Sequence, residues 1–303
     1  MHYVQAVNGG QTSTMTTTGH TGSGRARGIG VALGGALSNQ LGATSGSLAF
    51  PVIGPVGVVA VRQVIAALIL LPIVRPRVWE LTRAQWWPVV LLALVFGTMN
   101  LTLYLAIERI GLGLAVTLEF CGLLAVALLS SRTRTNALCA VIAGAGVIAI
   151  TRPQPTTDYL GLGLGLIAAC SWAAYILLNR TIGYRIPGVQ GTATATGISA
   201  ALFLPIGAWI LVTTRPEALT VLYAVGSGVL ASTIPFVADL IALRRVPANL
   251  FGILMSINPV LAALIGATLL HEHLGTPEWV GIALIVTANT TALLLPGNPP
   301  RPG

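Results

Sequence analysis

Two carboxylic acids lie where the surrounding sequence offers them no water. Glu119 has about ten mostly apolar residues on each side within the run Ile110 to Leu129, and Asp239 lies about one helical turn from the end of the run Thr220 to Leu243. Insertion scales put the cost of an ionisable side chain at the centre of a membrane helix at about 2.5 to 3.5 kcal/mol, so one that is retained there points to function. Two kinds of chemistry fit Glu119, which lies too deep for its side chain to snorkel into water. It can exchange a proton along a path through the membrane, or it can stay hydrogen-bonded and pin two helices together. Asp239, close to a helix end, has the further choice of reaching headgroup water or pairing with Arg244 or Arg245.

Softer polar groups accompany the acids. Asn39 is flanked by Ser38 and Gln40, Asn100 and Tyr104 stand with Thr98 and Thr102, and Ser171, Trp172 and Tyr175 share a third apolar run. Such residues serve either as interhelical hydrogen-bonding glue or as the lining of a cavity. Trp172 and Tyr175, three apart, share a helix face that can hold an ammonium group by cation–π attraction or simply pack. Pro205, Pro235 and Pro259 each free a backbone carbonyl inside an apolar run, which makes Pro235 and Pro259 candidate hinges. Gly30 with Gly34, and Gly161 with Gly165, have the four-residue spacing that lets helices approach closely.

Other motifs fail on context. The GLGLGL stretch at Gly161 lies in an apolar run with no strand before it, so it is no dinucleotide fingerprint. His271, Glu272 and His273 lack the spacing of a zinc hydrolase, and no metal site is expected. The remaining histidines are His2 and His20, so no mid-span base can serve a nucleophile, and an enzyme is disfavoured. Cys121, Cys139 and Cys170 read as small apolar packing residues.

The elements that must position these groups are membrane helices. With 54% hydrophobic and 8% charged residues and a mean hydropathy of +0.84, the chain departs far from soluble domains, in which about 25% of residues are charged. The expected fold is an all-α membrane protein of ten transmembrane helices. The spans are Gly28 to Gly46, Val56 to Val74, Pro88 to Ile107, Ile110 to Leu129, Ala137 to Ile150, Tyr159 to Leu178, Thr192 to Val212, Thr220 to Leu243, Leu250 to Leu270 and Trp279 to Leu295. Residues 1–27 and 296–303 read as polar, unstructured tails, and Met15 offers a second candidate start. Every basic residue is an Arg. With the N-terminus inside, all but Arg62, Arg109, Arg152 and Arg215 fall on the cytoplasmic side, which places both termini there. The basic balance then implies anionic lipid headgroups as neighbours and no nucleic acid.

The hydrophobic program runs twice. Ala106 to Leu129 matches Ala242 to Ile265, and Gly28, Gly30 and Ser38 match Gly161, Gly163 and Ser171. Five spans per copy would invert the second copy, giving repeats over residues 28–151 and 159–295, an arrangement from which transporters obtain two interconvertible faces. The acids are not duplicated, since Glu119 pairs with Met255 and Asp239 with Leu103.

The segments AACSWAAYILLNR and PFVADLIALRRVPANLFGILMSINPVLAALIGATLLHEHL resemble the second repeat of the EamA branch of the drug/metabolite transporter superfamily. LAIERIGLGLAVTLEFCGLLAVALLSSR resembles its subgroup of bacterial threonine and homoserine exporters. Glu119 matches the acid of that subgroup's TLEF motif, Asp239 stands where its members often have Glu, and Glu272 matches an acid common near the last helix. Leu123, His271 and Ser47 depart from the family's frequent Pro, Gly and Lys. The resemblance implies two inverted five-helix repeats around a cavity, alternating access, and a multi-pass protein of the bacterial inner membrane. The activity it implies is export of small polar metabolites such as threonine and homoserine. Inward proton flow would drive it through Glu119, with no cofactor. An uncoupled facilitator or importer, and a non-transporting membrane subunit, are the alternatives. The oligomeric state stays open, a homodimer included.

Overall fold

The computed structural model describes residues 19–129, 133–152, 156–269 and 275–294. Its helices are α1 (Gly19–Ser47), α2 (Phe50–Val74), α3 (Arg83–Leu129), α4 (Arg134–Thr151), α5 (Tyr159–Arg185), α6 (Gln190–Thr214), α7 (Ala218–Gly228), α8 (Ile234–Leu243), α9 (Ala248–Met255), α10 (Ile257–Leu269) and α11 (Thr276–Leu294). A π-helical turn, Val229–Thr233, joins α7 to α8 into one segment, and Ser256 alone separates α9 from α10. Six segments are long and apolar enough to cross a membrane: Phe50–Val74, Arg83–Ile110, Arg134–Thr151, Tyr159–Arg185, Gln190–Thr214 and Ala218–Leu243. With the shorter apolar helices Leu114–Leu129 and Ala248–Leu261, α1 and α11, the described residues form ten helical segments.

Straight, α3 would be about 70 Å long at helical rise, more than twice the roughly 30 Å of a bilayer core. Its contacts with α5 show that it folds back. Arg185 donates to the Ala84 carbonyl, Phe96 lies beside Tyr175 with ring centroids 5.8 Å apart, and Arg109 pairs with Asp158. The first leg of α3 therefore runs antiparallel to α5 along its length. Beyond Ile110 the direction reverses, because Leu118 meets Gly165 and Gly122 meets Ala169. This fold-back matches the two separate spans expected there.

The first helix starts earlier than expected. Residues 19–27, assigned to a tail on composition, are the opening turns of α1. Once a span is formed, each added residue costs little beyond its own propensity, so the helix runs on past the apolar stretch. Residues 1–18 and 295–303, which hold the rest of both tails, and the His271, Glu272 and His273 cluster lie outside the described residues.

Helix association in lipid lacks the hydrophobic drive available in water, so close backbone approach must supply packing, and small residues permit it. Glycine marks most of the crossings here. In α1, Gly28 faces Arg245 and Val246, Gly35 faces Ala238, Gly42 the backbone of Ala231 and Gly46 Ser227, so α1 runs antiparallel to the α7–α8 segment. Gly57 and Gly197 set α2 antiparallel to α6, and Gly146 and Gly281 set α4 antiparallel to α11. Of the expected four-spaced pairs, Gly161 and Gly165 do face α3, whereas Gly30 and Gly34 meet no other element among the described residues. The working face of α1 repeats every seven residues.

The pairing is reciprocal between the halves. The first helix of each half packs along the third segment of the other, and the second, fourth and fifth segments pair with their counterparts. One bend in α2 is carried by Gly54, whose φ of 67° and ψ of 169° belong to a region essentially reserved for glycine. Helices α2, α4 and α6 end on Arg75, Arg152 and Arg215 in the left-handed conformation, which puts a cation against each helix C-terminus.

Candidate functional site

A cavity of about 700 Å³ opens between the halves. Its deepest described liners are Gly35, Tyr175, Phe236 and Asp239, and it runs from there to Ser47, Phe50, Thr151 and Glu278 at the ends of α1, α2, α4 and α11. Below it the helices close. Phe96 and Phe236 stack with centroids 4.0 Å apart and an interplanar angle of 13°, and Tyr175 packs against both. The Tyr175 hydroxyl donates to Asp239 Oδ2 at 2.8 Å. Asp239 is therefore held by Tyr175 and not by the arginines that follow it. Arg244 turns away and donates to the carbonyls of Gly183, Ile186 and Gly188.

A second polar level lies farther up. Arg62, in the middle of α2, is 4% exposed. Its Nε donates to Ser232 Oγ at 3.0 Å, Nη1 to the Tyr104 hydroxyl at 2.6 Å and Nη2 to the Ala231 carbonyl at 2.6 Å. That carbonyl is the one Pro235 leaves without its helical partner four residues on, so the guanidinium satisfies the acceptor that the proline exposes. Pro259 behaves in the same way. It frees the Met255 carbonyl, which accepts from Asn258 Nδ2 at 2.9 Å, while Gln40 Nε2 donates to Asn258 Oδ1 at 3.0 Å. Both candidate hinge prolines line the cavity, and cavity-lining side chains cap the gaps they make.

Glu119 lies at about the depth of Arg62. Its neighbours Leu118 and Gly122 pack on Gly165 and Ala169 of α5, and Tyr104 falls at that height between the contacts Phe96–Tyr175 and Arg109–Gly161. From Ala231 down to Asp239 the axial distance is about 12 Å at helical rise. Glu119 is 7% exposed, lines the cavity, and has no ion-pair partner among the described residues.

Of the residues expected at the site, Glu119, Asp239, Asn39, Asn100, Tyr104, Trp172 and Tyr175 all line this one cavity. Ser171 is buried but is not among the liners. Arg62, expected toward the outer side, is instead the cavity's buried cation. The signal for it was in the sequence, since the apolar stretch extends from Leu48 to Val74 and Arg62 lies near its middle. Gln40 and Asn258 were also passed over as site residues. No group of three metal-ligating acids, cysteines or histidines exists among the described residues.

Ion pairs tie the upper rim. Arg109 Nε meets Asp158 Oδ2 at 2.9 Å and Arg152 Nη2 meets Glu278 Oε2 at 2.9 Å. Asp158 also caps α5, accepting from the Gly161 N–H at 2.9 Å. That N–H and the Arg109 guanidinium hold its carboxyl below the ordinary value of 3.8. A lowered folded value means the stabilisation is fully present above the ordinary pKa and is lost as pH falls through the folded one. Asp158→Asn is expected to erase this dependence. From about pH 6 to about pH 3, the melting temperature of the detergent-solubilised native protein should fall more steeply than that of the variant, and parallel curves would contradict the assignment.

The profile of the EamA-like transporter family matches residues 159–293. The threonine/homoserine exporter RhtA of Salmonella typhimurium strain LT2 is 34% identical over 269 residues, covering 85% of this chain and 88% of that protein. RhtA of Escherichia coli K12 is 33% identical over the same share. The uncharacterized transporter YwfM of Bacillus subtilis strain 168 is 28% identical over 224 residues, or 68% of this chain and 74% of that one. A solved crystal structure superposes with a TM-score of 0.69 at 19% identity, over 90% of this chain and 98% of the other, and attests the fold.

Proposed function

We propose that this chain, which belongs to the EamA-like transporter family of membrane transporters and is no enzyme, is a proton-driven exporter of small amino acids such as threonine and homoserine. The observation that carries the reading is Glu119, an acid without an ion-pair partner among the described residues, lining a cavity large enough for a small metabolite. A carboxylate can hold a substrate ammonium or a proton, and not both. Arrival of a proton from the outer side would expel the substrate, and its departure inward would reset the site.

The reciprocal helix pairing supports two inverted repeats rocking against each other. The closed lower end at Phe96, Tyr175 and Phe236 and the liners reaching the upper helix ends support a state facing one side. Among the described residues Arg25, Arg27, Arg75, Arg77, Arg83, Arg134, Arg180, Arg185, Arg244 and Arg245 belong to the closed end, and Arg109, Arg152 and Arg215 to the other. The positive-inside rule then makes the closed end cytoplasmic and the cavity outward-facing, in the bacterial inner membrane. Pro235 and Pro259, with their side-chain-capped gaps, serve as hinges.

The test is threonine efflux from preloaded, right-side-out proteoliposomes. Acidifying the outside should speed efflux over that from protein-free liposomes, whereas efflux indifferent to the gradient would mark a facilitator.

A further inference from the structure

Arg62 is a buried cation with no ion-pair partner among the described residues. Its three partners are a serine hydroxyl, a tyrosine hydroxyl and a backbone carbonyl, all uncharged, and no acid pairs with it among the described residues. A guanidinium has five N–H donors and keeps its charge at any working pH. Three donors are used here, which leaves one on each Nη nitrogen of a group that lines the cavity. Burying an uncompensated charge is costly. Its three bonds to neutral groups also hold the fork at a fixed height in the wall. A planar fork with one free N–H on each arm matches the two oxygens of a carboxylate.

We propose that Arg62 binds the carboxylate of the transported substrate, so that the cavity selects α-amino acids as zwitterions. The carboxylate supplies the counter-charge that no ion pair among the described residues gives Arg62, and Glu119, at about the same depth, receives the ammonium. The substrate side chain is left to the amides of Asn39 and Asn100. This assignment rests on the amino-acid export reading, and it adds that the free carboxylate is required. An Arg62 that merely tied α2 to the π turn would make the same three bonds and would be indifferent to the substrate's carboxyl group.

The experiment compares L-threonine, L-threoninamide and 1-amino-2-propanol, which is threonine without its carboxylate, as substrates of the reconstituted full-length protein. The native protein is expected to move threonine with at least about a tenfold lower KM than either analogue, the scale of losing hydrogen bonds to a charged group. Arg62→Gln should raise the threonine KM by at least about tenfold while leaving the amide's nearly unchanged, and Arg62→Lys should keep part of the preference. A purely structural Arg62 would instead lower transport of all three substrates together in the Gln variant. If that variant does not fold, the native panel and the Lys variant still decide. Equal transport of all three substrates by the native protein overturns the Arg62 assignment and leaves the transporter reading standing. Transport of none of them overturns both.

Discussion

Glu119→Gln is expected to abolish the acceleration of threonine efflux by an external acid pH and, because the amide offers the ammonium no charge, to raise the KM of threonine–threonine exchange at equal pH by at least about tenfold while exchange persists at saturating threonine. Gln has nearly the same volume and reach, so the packing of the second leg of α3 against α5 at Leu118 and Gly122 is kept. What changes is the charge that receives the ammonium and the single proton the side chain can carry. Asp239 cannot take over, because it lies about 12 Å deeper along the helix axis and is engaged by Tyr175. Gradient-driven efflux persisting at native strength would mean that the proton travels elsewhere or that no proton is carried.

Gly42→Leu is expected to do comparable damage by a different route. A Cβ at this position would run into the backbone of Leu230 and Ala231, the turn whose two carbonyls accept from Ser38 Oγ and from Arg62 Nη2. The π turn must move away, and with it both anchors between α1, α2 and the α7–α8 segment. Overpacking of this kind costs about 1 to 3 kcal/mol, and here it also dislodges a buried cation. Transport should fall by at least about tenfold, with a lower melting temperature in detergent. Gly34→Leu is the control: the space beside Gly34 is open, so the same added side chain on the same helix should leave both measurements near native. If the two variants behave alike, the seven-residue packing face of α1 is wrong.

That pair of glycines also marks where the sequence ceases to be informative. The spans were legible because a run of about 20 apolar residues leaves few other options, and the acid at 119 was legible because its cost there is so high. Which way a small residue faces was not, because a helix that is apolar and small all around has no periodicity to orient it. The spacing of Gly30 and Gly34 looked like a contact face and is open, while Gly28, Gly35 and Gly42 make the crossing. Arg62 was missed for a different reason. As one more positive charge among sixteen arginines it reads as an orientation signal, and only its depth in the apolar stretch sets it apart. Nor could the sequence show that the carbonyls freed by Pro235 and Pro259 would be met by Arg62 and Asn258, since each match depends on how the helices settle around the cavity.

Exchange of an internal amino acid for an external proton is tested by following both at once. Proteoliposomes loaded with threonine and a pH-sensitive dye, and placed in threonine-free medium at equal pH, should acidify inside as threonine leaves. Native protein is predicted to show that acidification and the Glu119→Gln variant to lack it. Threonine efflux by the native protein with no change in internal pH would rule out proton exchange.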